Sequence, residues 1–155
     1  MNTIKRFFLL STFSILSIVA YAQPQIEVHK GLSTIGTGII NNSTGFTDIG
    51  SGVLGNNVIQ FFTVENTGDV DLVISSLVIT GTGYSATALG NTTIAAGGVE
   101  SFTVTLTGAG VGTHDGDVAI ASNDAGDNPF NFTVQATIRA IYYSKGDGIF
   151  NDNIL

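Results

Sequence analysis

Hydrophobic and polar side chains alternate with a period of two along most of the chain. Phe102, Val104 and Leu106 are separated by Thr103 and Thr105, and Phe130, Phe132, Val134, Ala136 and Ile138 by Asn131, Thr133, Gln135 and Thr137. Successive side chains on a strand point to opposite faces, so each run predicts a strand half buried against a core. Val118 and Ile120 repeat the pattern over a shorter stretch. Leu72 and Ile74 begin in phase, but Ser75-Ser76 shifts the alternation to Leu77 and Ile79, which predicts a bulge or a strand changing sheets. The run from Val58 to Glu65 is apolar on both faces, with Ile59 and Phe61 opposite Phe62 and Val64. A central strand covered on both sides accounts for this, as does contact with a neighbouring domain; the first is preferred.

Turn chemistry separates the runs: Asn66-Thr67-Gly68-Asp69, Gly81-Thr82-Gly83, Ala96-Gly97-Gly98, Gly108 to Gly112, and Asn123 to Pro129. Glycine reaches the positive φ of tight turns, and Asn or Asp hydrogen-bonds nearby backbone there. Strands are thus expected near 25–29, 58–65, 71–79, 84–89, 99–107, 116–122 and 130–140. About seven short strands at this spacing predict an all-β fold, an antiparallel Ig-like β-sandwich. No segment has a helical apolar period long enough for a crossover, which excludes a parallel α/β sheet.

The first 22 residues read as a secretory signal. Lys5 and Arg6 precede an apolar run from Phe7 to Val19, and Ala20-Tyr21-Ala22 provides the small-x-small site, so cleavage is expected after Ala22. The run is shorter than the ~20 residues of a spanning helix, and no other stretch could cross a bilayer. A secreted or cell-surface location follows, with no transmembrane segment in the mature chain. Losing Lys5 and Arg6 changes the net charge of −7 to −9 over the remaining 133 residues. So few cations disfavour nucleic-acid binding. The absence of cysteine excludes disulfides, thiol nucleophiles and zinc fingers.

Candidate chemistry is sparse, and we expect no enzyme activity and no cofactor. Gly50-Ser51-Gly52-Val53-Leu54-Gly55 spells G-x-G-x-x-G and Gly81 to Ala86 its G-x-G-x-x-A variant, but strand-like runs follow where a helix N-terminus would meet a pyrophosphate. Gly83-Tyr84-Ser85-Ala86-Thr87 starts like a nucleophile elbow and lacks its second glycine. With only His29 and His114, a multi-histidine metal centre cannot form; His29 shares a strand face with Glu27, and both histidines are expected at the surface. The candidates for a calcium site are Asp115, Asp117, Asp124 and Asp127, on turns flanking one short strand. Their placement at opposite ends of that strand favours a turn-forming role.

Phe46-Thr47-Asp48-Ile49-Gly50, Phe62 to Gly68 leading into Asp71-Leu72, Ala96-Gly97-Gly98 before Phe102, Ser122-Asn123-Asp124, and Asn128-Pro129-Phe130 before Phe132 appear in an order that resembles bacterial choice-of-anchor D domains of the Hydin-type (ASH) Ig-like superfamily. The resemblance covers about Gln25 to Ala140. It implies a non-catalytic Ig-like structural or adhesion module, a spacer or protein-interaction domain in a cell-surface protein with an unspecified partner, and it brings no catalytic residues. The alternative is an accessory carbohydrate- or calcium-binding domain of a secreted enzyme, although the chain has no tryptophan for a sugar platform. Thr107-Gly108-Ala109-Gly110 stands where the family usually carries an aromatic and a proline, so a looser corner is expected. The tail from 141 to 155 breaks the alternation and resembles the start of a second module, cut short.

Overall fold

Glycine, asparagine and aspartate turns cut the described residues into ten strands: β1 (Ile26–Lys30), β2 (Gly38–Ile39), β3 (Phe46–Val53), β4 (Val58–Asn66), β5 (Leu72–Thr80), β6 (Tyr84–Ala86), β7 (Thr93–Ile94), β8 (Val99–Leu106), β9 (Gly112–Ser122) and β10 (Phe130–Arg139). The computed structural model describes residues 21–142. The expected signal, except for Tyr21 and Ala22, and the tail from residue 143 onward lie outside them. One sheet has the order β2-β1-β4-β8-β6 and the other β3-β10-β9-β5-β7. The all-β sandwich expected from the alternation is the fold observed.

Several details depart from the expected strand map, among them the two-residue strands β2 and β7, which were not expected. Residues 46–53 form a strand where none was expected, and β3 runs parallel to β10, pairing Phe46 with Thr133 through Val53 with Arg139. Every other strand pair is antiparallel. The turn after β3 delivers the chain into β4 of the opposite sheet, so β3 forms no hairpin within its own sheet and lies along the last strand. Its alternation is hidden by a bulge. Gln135 and Ala136 pair with Asp48 and Gly50, which leaves Ile49 as the extra residue. Ile49 turns into the core, the Asp48 Oδ1 accepts the Gly50 N–H at 2.8 Å, and Gly50 takes φ +108°. At Ser75-Ser76 the phase shift is likewise a bulge, with β5 remaining in one sheet against β9. The strand expected over 84–89 is shorter, ending at Ala86.

The alternating apolar residues meet between the sheets. Phe62 of β4 stacks on Phe102 of β8 with centroids 5.3 Å apart, and reaches across to Phe132 of β10 at 5.4 Å. Phe130 meets Phe132 edge-on at 6.3 Å. Such pairs contribute about 0.5–1.5 kcal/mol each beyond their buried area.

Asn66, wholly buried at the end of β4, is the polar counterpart of this core. Its Nδ2 donates to the carbonyls of Val70 at 2.8 Å and Ile94 at 2.9 Å. Its Oδ1 accepts the N–H groups of Gln25 at 3.3 Å and Gly68 at 3.1 Å. All four amide hydrogen-bonding capacities are filled, joining the start of β1, the β4–β5 turn and β7. The opposite loop uses the same chemistry. Asn123 accepts from Val73 N–H and donates to the Asp71 carbonyl, and Asn128, before a cis Pro129, accepts from Ser122 N–H. At the corner after β8, Thr107 N–H donates to the Gly83 carbonyl and His114 Nε2 to that of Gly110, each at 2.8 Å.

Asn66→Ala should lower unfolding free energy in urea by about 1–3 kcal/mol, because it leaves the buried Ile94 carbonyl without its donor and removes the bonds to three part-buried backbone groups. Asn56→Ala, at an exposed turn position, should stay within about 0.5 kcal/mol of the parent. A second expectation concerns alkaline pH. Burial, assisted by the nearby Asp115 carboxylate, raises the Tyr84 phenol from 10.0 to about 12; its hydroxyl donates to the His114 carbonyl. A raised folded-state value makes the contribution complete below pH 10 and lost as pH rises through 12. Tyr84→Phe should therefore flatten the alkaline fall in stability between those limits, as followed by far-UV circular dichroism.

Candidate functional site

The sheet containing β1, β4 and β8 presents one face to the core and the other outward. Alternation along β4 places Ile59, Phe61, Thr63 and Glu65 on the outward face, opposite Thr105, Thr103, Ser101 and Val99 of β8. Ile59 is 55% exposed and Phe61 44%. The expectation that a central strand is covered on both sides therefore fails for this end of β4: the strand is central in its sheet, yet no described element covers these two side chains.

Further along the same face, β1 brings Glu27 and His29 beside β4. Glu27 pairs directly with Glu65 and His29 with Thr63. His29 Nε2 lies 3.1 Å from Glu65 Oε2 and 3.6 Å from Glu27 Oε2. Ligand-capable atoms of all three lie within 4.8 Å of one another. Contrary to the surface position expected from sequence, His29 is only 6% exposed. The reason is its place between two strands, with Thr63 on one side and Gly38 of β2 on the other. Its Nδ1 is buried without a hydrogen-bond partner. Among the described residues, no Lys or Arg forms an ion pair with either glutamate.

Two carboxylates thus face each other across a ladder with one imidazole nitrogen between them. A neutral imidazole can donate one hydrogen from Nε2, so it serves one carboxylate at a time, and like charges directly opposite on neighbouring strands repel. Sequence reasoning found Glu27 and His29 on one face from their spacing of two. It missed Glu65, 36 residues from His29, because only the β1–β4 register brings it there.

The other sequence candidates are separated. Asp115 and Asp117 lie exposed on β9, accepting hydrogen bonds at 2.8 Å from Gln135 and Thr133. Asp124 is buried in the β9–β10 loop, where its two oxygens accept the Ile26 and Gly126 N–H groups at 2.9 and 2.8 Å. Asp127 accepts from Asn41 Nδ2 at 2.7 Å. These four carboxylates are not gathered into one group. Gly50 to Val53 lie inside β3, Gly81 to Gly83 form a turn into β6, and no helix follows either glycine pattern.

These layers define an Ig-like β-sandwich with an open outward sheet face. The profile of the HYDIN/CFA65/VesB-like Ig-like domain matches residues 39–137, and the chain belongs to that family. Among solved structures, it is similar to a protein of unknown function from Porphyromonas gingivalis W83, with 16% identity and TM-score 0.58, over 80% of this chain and 51% of that one. It thus spans about half of that protein's length. A family 123 glycoside hydrolase from Clostridium perfringens aligns with 8% identity and TM-score 0.52, over 75% of this chain and 27% of that one. The VesB protease of Vibrio cholerae aligns with 20% identity and TM-score 0.49, over 60% of this chain and 29% of that one. None of the curated proteins matches the sequence.

Glu27→Gln should relieve the cross-strand repulsion. In chelator-treated buffer at neutral pH and low salt, the variant is expected to gain a few tenths of a kcal/mol in urea unfolding, a gain that salt diminishes. A loss of stability under those conditions would contradict the repulsive pairing.

Proposed function

We propose that the chain is an exported, non-catalytic Ig-like module that serves as a spacer or protein-interaction domain within a cell-surface protein, of the choice-of-anchor D kind. The open pair Ile59 and Phe61 carries this reading. It is an apolar contact surface set on a rigid sheet, of the sort that protein interfaces bury. The turn-region side chains Asn66, Asn123, Asp124 and Asn128 support it, because their polar atoms hold backbone groups. No helix among the described residues is long and apolar enough to cross a membrane, and the basic, apolar and small-residue order of the first 22 positions supports export.

Expression of the full chain in a bacterium with a general secretion pathway tests both halves. The exported product should begin at Gln23 by intact mass. A photo-crosslinking residue in place of Phe61 should form a discrete protein adduct on intact source cells, whereas the same residue in place of Thr133 on the opposite sheet should not. Retention of the first 22 residues inside the cell would defeat the export reading, and equal or absent adducts at both positions would defeat the interaction reading.

A further inference from the structure

We propose that Glu27, His29 and Glu65 form a binding site for a zinc-class divalent cation, held by His29 Nε2 and one oxygen from each carboxylate. The site stands apart from the Ile59 and Phe61 surface and does not depend on the role proposed for it.

Charge, geometry and burial support the assignment. Two ionised carboxylates and a neutral imidazole carry a charge of −2, which one divalent cation balances. The chain supplies no Lys or Arg partner to them among the described residues. In a tetrahedral site with ligand distances near 2.0–2.1 Å, neighbouring ligand atoms stand about 3.3 Å apart. The spacings from Nε2, 3.1 Å to Glu65 and 3.6 Å to Glu27, bracket that value. Glu27 is half exposed, so its side chain can turn to close the remaining edge without moving a strand. The ring of His29 is more than nine-tenths buried, and Nε2 is the nitrogen it turns toward both carboxylates.

The donor set also selects the metal class. One imidazole nitrogen and two carboxylate oxygens suit zinc and its neighbours, whereas calcium takes six to eight oxygens. Three protein ligands leave a fourth position for water on the outward side. The unpartnered Nδ1 limits affinity: metal-binding histidines normally donate their second N–H to a fixed acceptor, and lack of that support costs about 10–100-fold. Micromolar binding is therefore expected.

The test is calorimetric titration of untagged, chelator-stripped full-length protein with zinc chloride. One ion should bind per chain with a Kd of about 1–20 μM, and calcium should show no comparable heat. His29→Gln and Glu65→Gln should each weaken zinc binding at least tenfold, whereas Asp115→Asn together with Asp117→Asn should leave it unchanged. Melting curves of the metal-free variants show whether each is folded. In the parent, cobalt(II) should give the intense visible absorption of four-coordinate geometry, and His29→Gln should abolish it. Absence of zinc binding below millimolar concentration overturns the proposal. So does binding that survives in folded His29→Gln and Glu65→Gln. If either variant fails to fold, Glu27→Gln, a half-exposed position, gives the decision: its zinc affinity should fall at least tenfold, and unchanged affinity overturns the proposal.

Discussion

One buried amide holds the corner of the sandwich together. Asn66 ends the central strand of one sheet, and from there it saturates backbone groups at the start of β1, in the β4–β5 turn and on β7, an edge strand of the other sheet. Apolar packing between Phe62, Phe102 and Phe132 brings the sheets together without direction. Directional bonds at Asn66 then determine where one sheet's end lies against the other's edge. Asp124 performs the matching task for the β9–β10 loop, tying it to Ile26 at the start of β1. Both are short polar side chains inside the fold, and each is tolerable only because its bonding capacity is met.

With those anchors in place, the outward face of the β1–β4–β8 sheet is free to carry features that stability does not require. Ile59 and Phe61 sit at one end and the Glu27, His29 and Glu65 group further along, on strands whose opposite faces are locked into the core. A site on rigid strands keeps its geometry better than one on a loop. The repulsion between Glu27 and Glu65 is carried at small cost because Glu27 remains half in water.

Much of the fold was legible in the sequence because period-two alternation survives wherever a strand is regular. The runs ending at Leu106 and Ile138 were read almost to the residue, and the phase shift at Ser75-Ser76 marked a true bulge. The strand from Phe46 to Val53 escaped because its bulge spends a residue out of phase and its glycines mimic a turn; its parallel pairing with β10 depends on a switch between sheets that local pattern does not encode. The candidate site was half legible for a related reason. Glu27 and His29 declare their shared face through spacing, but Glu65 joins them only through register, and the burial of His29 comes from β2, a two-residue strand too short to leave a pattern.

The same bulge in β3 has a bearing on solubility. The sheets otherwise end in strands of two or three residues, β2, β6 and β7, too short to template another chain. Among the described residues, β3, with eight, is the longest of the four outermost strands. Its outline is broken at Asp48-Ile49-Gly50, and the Lys30 ammonium reaches over from the other sheet to occupy the Asp48 carbonyl. A kinked, lysine-capped border of this kind is a poor template for the flat partner strand that uncontrolled polymerisation needs.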